Sequence, residues 1–114
     1  MMELLPIGSV VTINNDENKT KLMIISVFPL KNENGKVGYY DYASCLYPYG
    51  LVNDQIFFFN REDINEVLSK GFNDEEALEF SKKLVESEKN IDYPHLYNEK
   101  YTKQKEDLSD LLKD

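Results

Sequence analysis

The chain has 114 residues, 13 of them basic and 21 acidic, giving a net charge of −8 at pH 7. That length holds one hydrophobic core and not two, and the acidic balance repels phosphate backbones and anionic lipid headgroups, which argues against nucleic acid or a membrane surface as partner. A single cysteine, Cys45, excludes an internal disulfide and a cysteine-based zinc site.

The chain opens Met-Met-Glu without a basic n-region, and Pro6 and Gly8 break its first apolar stretch, so a secretory signal is not expected. No run approaches the ~18 apolar residues of a membrane span. The expected location is the cytoplasm.

Ser9–Ile13, a β-branched run, reads as a first strand. Asn14–Asn18 is a polar turn, and Lys21–Phe28 is a nearly continuous apolar strand that belongs at the centre of a sheet. Asn34-Gly35 supplies positive φ at low cost, which predicts a hairpin between that strand and the next. The next two strands are Lys36–Ala43 and Gln55–Asn60, joined through Tyr47-Pro48-Tyr49-Gly50, with Pro48 at the first central position of a type I turn.

After Asn60 the apolar spacing reads as helical. Ile64, Val67 and Leu68 stand at i, i+3 and i+4, with Asn60 as cap and Gly71 as the terminating glycine. Asn73 then caps a second helix with Glu76 in a capping-box position, its apolar residues being Ala77, Leu78, Phe80, Leu84 and Val85. From His95 the chain is polar, with a thin stripe of Tyr97, Tyr101, Leu108, Leu111 and Leu112 that cannot hold a lone helix in water.

These elements predict an α+β fold: a small curved antiparallel sheet, or a barrel-like one, of about four or five strands, followed by two or three C-terminal helices. Residues 1–90 form the domain. Residues 91–114 form an acidic, partly helical tail.

No cofactor or metal signature is legible, and no phosphate loop, EF-hand, HExxH or GxSxG pattern occurs. Cys45 and His95 would be the obvious nucleophile–base pair, but no third member or oxyanion-hole motif accompanies them. Cys45 is expected to be a buried small hydrophobe and His95 a surface residue. Asp41, between Tyr40 and Tyr42, has the setting for a raised pKa. Strand alternation turns it instead to solvent or to a turn amide.

The tyrosines offer a different chemistry. Rings that the core cannot absorb are interface anchors, which makes Tyr40, Tyr42, Tyr47, Tyr49, Tyr97 and Tyr101 the candidate partner-binding residues. Stacking on single-stranded nucleic acid would need a basic groove that the composition does not offer. Glu62, Asp63, Asp74 and Glu75 would form an acidic rim favouring a basic partner.

Taken together, Leu4–Val11 (LLPIGSVV), Lys21–Ile25 (KLMII), Tyr40–Tyr42 (YDY), Leu46–Gly50 (LYPYG), Phe57–Val67 (FFFNREDINEV) and Gly71–Phe80 (GFNDEEALEF) stand in an order that resembles the bacterial small-protein family classified as domain of unknown function 4176. The resemblance implies an accessory protein, a chaperone or adaptor, for LXG-type toxins of the type VII secretion system of Gram-positive bacteria. It brings no catalytic residues with it. The expected function is therefore a cytoplasmic, non-catalytic binding protein whose partner is another protein. The alternatives are an immunity protein that neutralises a toxin, and a small enzyme using Asp41 or the Cys45–His95 pair.

Overall fold

The computed structural model describes residues 4–97. Seven strands precede one α-helix among these residues: β1 (Val10–Ile13), β2 (Leu22–Val27), β3 (Leu30–Glu33), β4 (Lys36–Tyr39), β5 (Tyr42–Leu46), β6 (Phe57–Phe59), β7 (Ile64–Ser69) and α1 (Glu75–Glu88), with a one-turn 3-10 helix at Arg61–Asp63. Five strands form an antiparallel sheet in the order β6-β5-β2-β1-β7, and β3 and β4 form a second, two-stranded sheet. The α+β class and the strand number of the main sheet agree with the sequence reading. Of the helices expected from sequence, the second, read after Asn73, occurs as α1, the first, read after Asn60, does not occur, and a third, in the tail, would fall largely outside the described residues.

Three differences have physical causes. The Asn34-Gly35 turn joins β3 to β4, whereas β2 pairs with β5 in the register Met23 opposite Cys45. The expected strand Lys36–Ala43 is thus two strands. It bends at Tyr40 and Asp41, where Tyr40 donates its N–H to Pro29 O (3.1 Å) and Asp41 its own to the Asn60 side chain (2.9 Å).

The expected helix after Asn60 is instead one 3-10 turn followed by β7. Asn60 N–H donates to Asp63 Oδ2, and Asp63 N–H returns a bond to Asn60 O, both at 2.9 Å, which closes the turn. Beyond it, β1 presents a free edge, and Ile64–Ser69 satisfies that edge by pairing with it. Ladder bonds to an existing strand outweigh a modest helical spacing.

The connection through Tyr47-Pro48-Tyr49-Gly50 is closed by Gly50 N–H donating to Leu46 O at 2.7 Å, a five-residue turn in which Gly50 takes φ of 82°. It is one residue longer than the type I turn expected.

The core lies between the main sheet and the N-terminal segment. Leu4, Leu5, Val11, Leu22, Ile24, Tyr42 and Phe59 are its buried members, and Phe28, Ile64 and Leu84 pack against them. Tyr42 opposes Phe59 across β5 and β6, their rings 5.5 Å apart. The Tyr42 hydroxyl is not wasted, since it accepts the Leu5 N–H at 2.9 Å and so pins the N-terminal segment over the sheet.

Gly71 is needed for a packing reason and not as a helix stop. A Cβ there would collide with Ile7 O and crowd the Gly8 carbonyl carbon at 3.0 Å. Its N–H donates to the buried Ser9 Oγ at 3.2 Å.

Helix α1 begins one residue later than the sequence suggested. Asp74, not Asn73, is the cap, accepting the Ala77 N–H at 3.0 Å. Ala77, Ser81, Leu84 and Glu88 are the half-buried residues of the helix, and none of its residues is fully buried.

Candidate functional site

Two regions concentrate chemistry. The first is a polar cluster where the β4–β5 bend, the 3-10 turn, the end of α1 and the returning segment Pro94–Leu96 meet. Asp41 is its centre and is buried, only 2% exposed. Its Oδ2 accepts the Arg61 backbone N–H at 2.8 Å and Arg61 Nε at 3.1 Å, while Oδ1 lies 3.4 Å from Arg61 Nη2 and 3.1 Å from His95 Nε2. Arg61 Nη2 also donates to Glu88 Oε2 at 2.8 Å, tying the last turn of α1 to the cluster.

The Arg61 guanidinium is pulled two ways. Burial works to lower its pKa, and the hydrogen bonds and charges of Asp41 and Glu88 outweigh this and raise it. Tyr39, which faces the cluster, has its phenol pKa raised, first by burial and then by the negative charges of Glu88 and Asp41.

Asn60 holds the other side. Its Oδ1 accepts the Asp41 N–H at 2.9 Å and its Nδ2 donates to Leu96 O at 2.8 Å, which fixes the amide orientation. His95 Nε2 lies 3.0 Å from that same Oδ1, so this nitrogen faces two acceptors and must carry a proton. The His95 ring is flanked by Tyr39 at 4.7 Å and Tyr97 at 5.0 Å.

The backbone completes the clasp. Tyr39 N–H donates to Pro94 O at 2.9 Å and Leu96 N–H to Tyr39 O at 2.7 Å. Gly38 is the close approach here, because a Cβ would meet Leu96 Cγ at 2.5 Å and Pro94 O at 2.6 Å.

Asp41 therefore turns neither to solvent nor to a turn amide alone, and His95 is half-buried rather than a surface residue. The expectation for both is corrected by the bend, which points Asp41 inward to meet Arg61. Cys45 is buried in β5 opposite Met23, as expected. The polar contacts of His95 go to Asp41 and Asn60, and its rings neighbours are Tyr39 and Tyr97; Cys45 is not among these partners. Among the described residues every buried side-chain nitrogen and oxygen has a hydrogen-bond partner. A cluster whose valences close on one another is chemically a lock.

Sequence reasoning missed Arg61, Asn60 and Glu88 as members of this cluster. Only the cap signal at Asn60 hinted at it.

The second region is the β5–β6 connection. Tyr47, Tyr49, Leu51, Val52, Ile56 and Phe57 are all exposed, Tyr49 to 75%. Five large apolar side chains on one loop, with Phe57 at the start of β6 next in sequence, exceed what scattered surface hydrophobics explain.

The candidate tyrosines divide accordingly. Tyr47 and Tyr49 stand in this loop, and Tyr97 is exposed beside His95. Tyr42 is fully buried in the core and offers a partner no surface; its ring is consumed by Phe59 and its hydroxyl by Leu5. Tyr40 is also buried, with its hydroxyl bonded to Glu33 Oε1 (2.7 Å) and Tyr97 O (3.1 Å). Tyr101 lies outside the described residues. Of the expected acidic rim, Glu62, Asp74 and Glu75 are exposed, whereas Asp63 is buried by its bond to Asn60.

A family model described as "Domain of unknown function (DUF4176)" matches residues 4–80, more than half of the chain. The chain belongs to the DUF4176 family. No curated protein and no solved structure matches it. The matched span of this DUF4176 protein runs from the core leucine Leu4 into α1. It includes Asp41, Asn60 and Arg61 of the cluster and stops short of Glu88 and His95. No helix among the described residues is long and apolar enough to cross a membrane.

Proposed function

We propose that this DUF4176 protein is a cytoplasmic, non-catalytic binding protein that holds another protein, acting as chaperone or adaptor for an LXG-type toxin of a type VII secretion system. The observation that carries the reading is the exposed apolar loop between β5 and β6. Tyr47 and Tyr49 project from a turn whose ends are fixed by the Gly50–Leu46 bond, so little conformational entropy is lost when they dock. Buried aromatic anchors of this kind carry most of the energy of an interface.

The Asp41 cluster supports the reading from the other side, since its carboxylate, guanidinium and imidazole are occupied with one another. The acidic surface favours a toxin segment with basic residues.

The test is isothermal titration calorimetry of the purified chain against a purified LXG-type toxin, paired with export or stability of that toxin in cells with and without the chain. Binding together with loss of toxin stability or export supports the chaperone. Binding that abolishes toxin activity while export is unaffected makes it an immunity protein. Absence of binding removes the LXG class of partner.

A further inference from the structure

Helix α1 rests on the fold along a narrow line. Ala77, Ser81 and Leu84 turn toward Leu4–Ile7, while Leu78 and Val85, one helical step to the side, stay exposed. Beside that line runs a groove of about 440 Å³, whose apolar lining includes Leu4, Leu5, Pro6, Leu78 and Val85 and whose charged lining is Lys70, Lys82 and Glu86. A groove of this size is in the range that bound apolar ligands and side chains fill.

The sequence beyond the described residues has the matching chemistry. Residues 106–114 read EDLSDLLKD, with Leu108, Leu111 and Leu112 at i, i+3 and i+4, and Glu106, Asp107, Asp110 and Asp114 against the single base Lys113. We propose that the groove is the docking site of the chain's own residues 106–114, with the three leucines seated against Leu5, Leu78 and Val85 and the acids facing Lys70 and Lys82.

Reach permits it. Tyr97 O is held by the Tyr40 hydroxyl, and the neighbouring His95 ring lies against Tyr39, whose own hydroxyl is 3.5 Å from Glu88 at the end of α1. Val85 is about 4.5 Å back along the helix axis from Glu88, at 1.5 Å per residue. Residues 98–105 can span up to about 27 Å when extended, enough to bring residue 106 to the groove. Charge favours this occupant over an apolar one, because it carries four acids and one base and the groove's charged lining is two lysines to one acid. The docking is independent of the β5–β6 loop and of what that loop binds.

Two measurements on the full-length chain test it. In Val85→Cys/Leu111→Cys, oxidation should give a disulfide within one chain, independent of protein concentration, at roughly ten-fold the yield of the control Lys19→Cys/Leu111→Cys, since a tethered segment has an effective concentration in the millimolar range. Adding Lys82→Glu should reduce that yield. In the otherwise native chain, removal of residues 106–114 should shift the methyl NMR signals of Leu78 and Val85. Crosslinks that form only between chains would assign the groove to a second copy and overturn the proposal. Yields equal to the control, or methyl signals that ignore the truncation, overturn it as well.

Discussion

Asp41 and Arg61 illustrate how one pair of side chains decides whether this fold closes. The Asp41 carboxylate is 3% exposed and accepts three bonds from Arg61 and one from His95. Removing one member of such a pair leaves a buried charge uncompensated, which costs about 3–5 kcal/mol. Arg61→Met is therefore expected to lower unfolding free energy by about that amount in urea titration. A loss of under ~1 kcal/mol, the range of exposed pairs, would show that the cluster is ornamental. At Glu33 the argument turns on pH. The Tyr40 hydroxyl bond lowers its pKa from 4.5, burial opposes, and Lys31 assists the lowering. A depressed carboxyl stabilises the fold above its unfolded pKa, and that contribution disappears as pH falls through the folded value. Glu33→Gln should thus lower the melting temperature near neutral pH and lose its effect in acid below the folded pKa. An effect of constant size across that range would contradict the assignment.

Among the elements, α1 is the least secured. None of its residues is buried, and its ends depend on the Asp74 cap and on the Glu88–Arg61 ion pair. Native-state hydrogen exchange should find its amides opening at lower free energy than those of β2, where the core residue Leu22 pairs with β1 and β5 and the core residue Ile24 with β5 and the Gly8–Ser9 backbone. Asp74→Ala should cost about 1 kcal/mol of helix stability and widen that gap; equal protection of α1 and β2 would contradict this ranking. The elements also show what was legible beforehand. β1, β2 and β6 were readable because their apolar runs are continuous, and Asn34-Gly35 announced a hairpin through its backbone demands. β7 was not, because Ile64, Val67 and Leu68 carry a helical spacing and only the unpaired edge of β1 makes them a strand. The Asp41–His95 contact joins residues 54 positions apart. No local pattern encodes a pairing of that length, so the cluster had to be seen. The exposed loop, in contrast, was half visible, since Tyr47 and Tyr49 were picked out and Leu51, Val52, Ile56 and Phe57 were not.

At the scale of the whole molecule, a net charge of −8 acts on association more than on the fold. Exposed acids at Glu62, Asp74 and Glu75 should steer a basic partner, so raising ionic strength should slow the association rate and leave dissociation nearly unchanged in stopped-flow mixing. An association rate insensitive to salt would remove charge from recognition. On the proposed reading the affinity itself comes from the apolar loop. The most direct measurement is calorimetric titration of an LXG-type toxin with Tyr47→Ala/Tyr49→Ala beside the native chain. The account predicts a loss of roughly 2–4 kcal/mol of binding, as for central aromatic anchors, with an unchanged melting temperature because both rings lie outside the core. Native affinity in that double variant would contradict it.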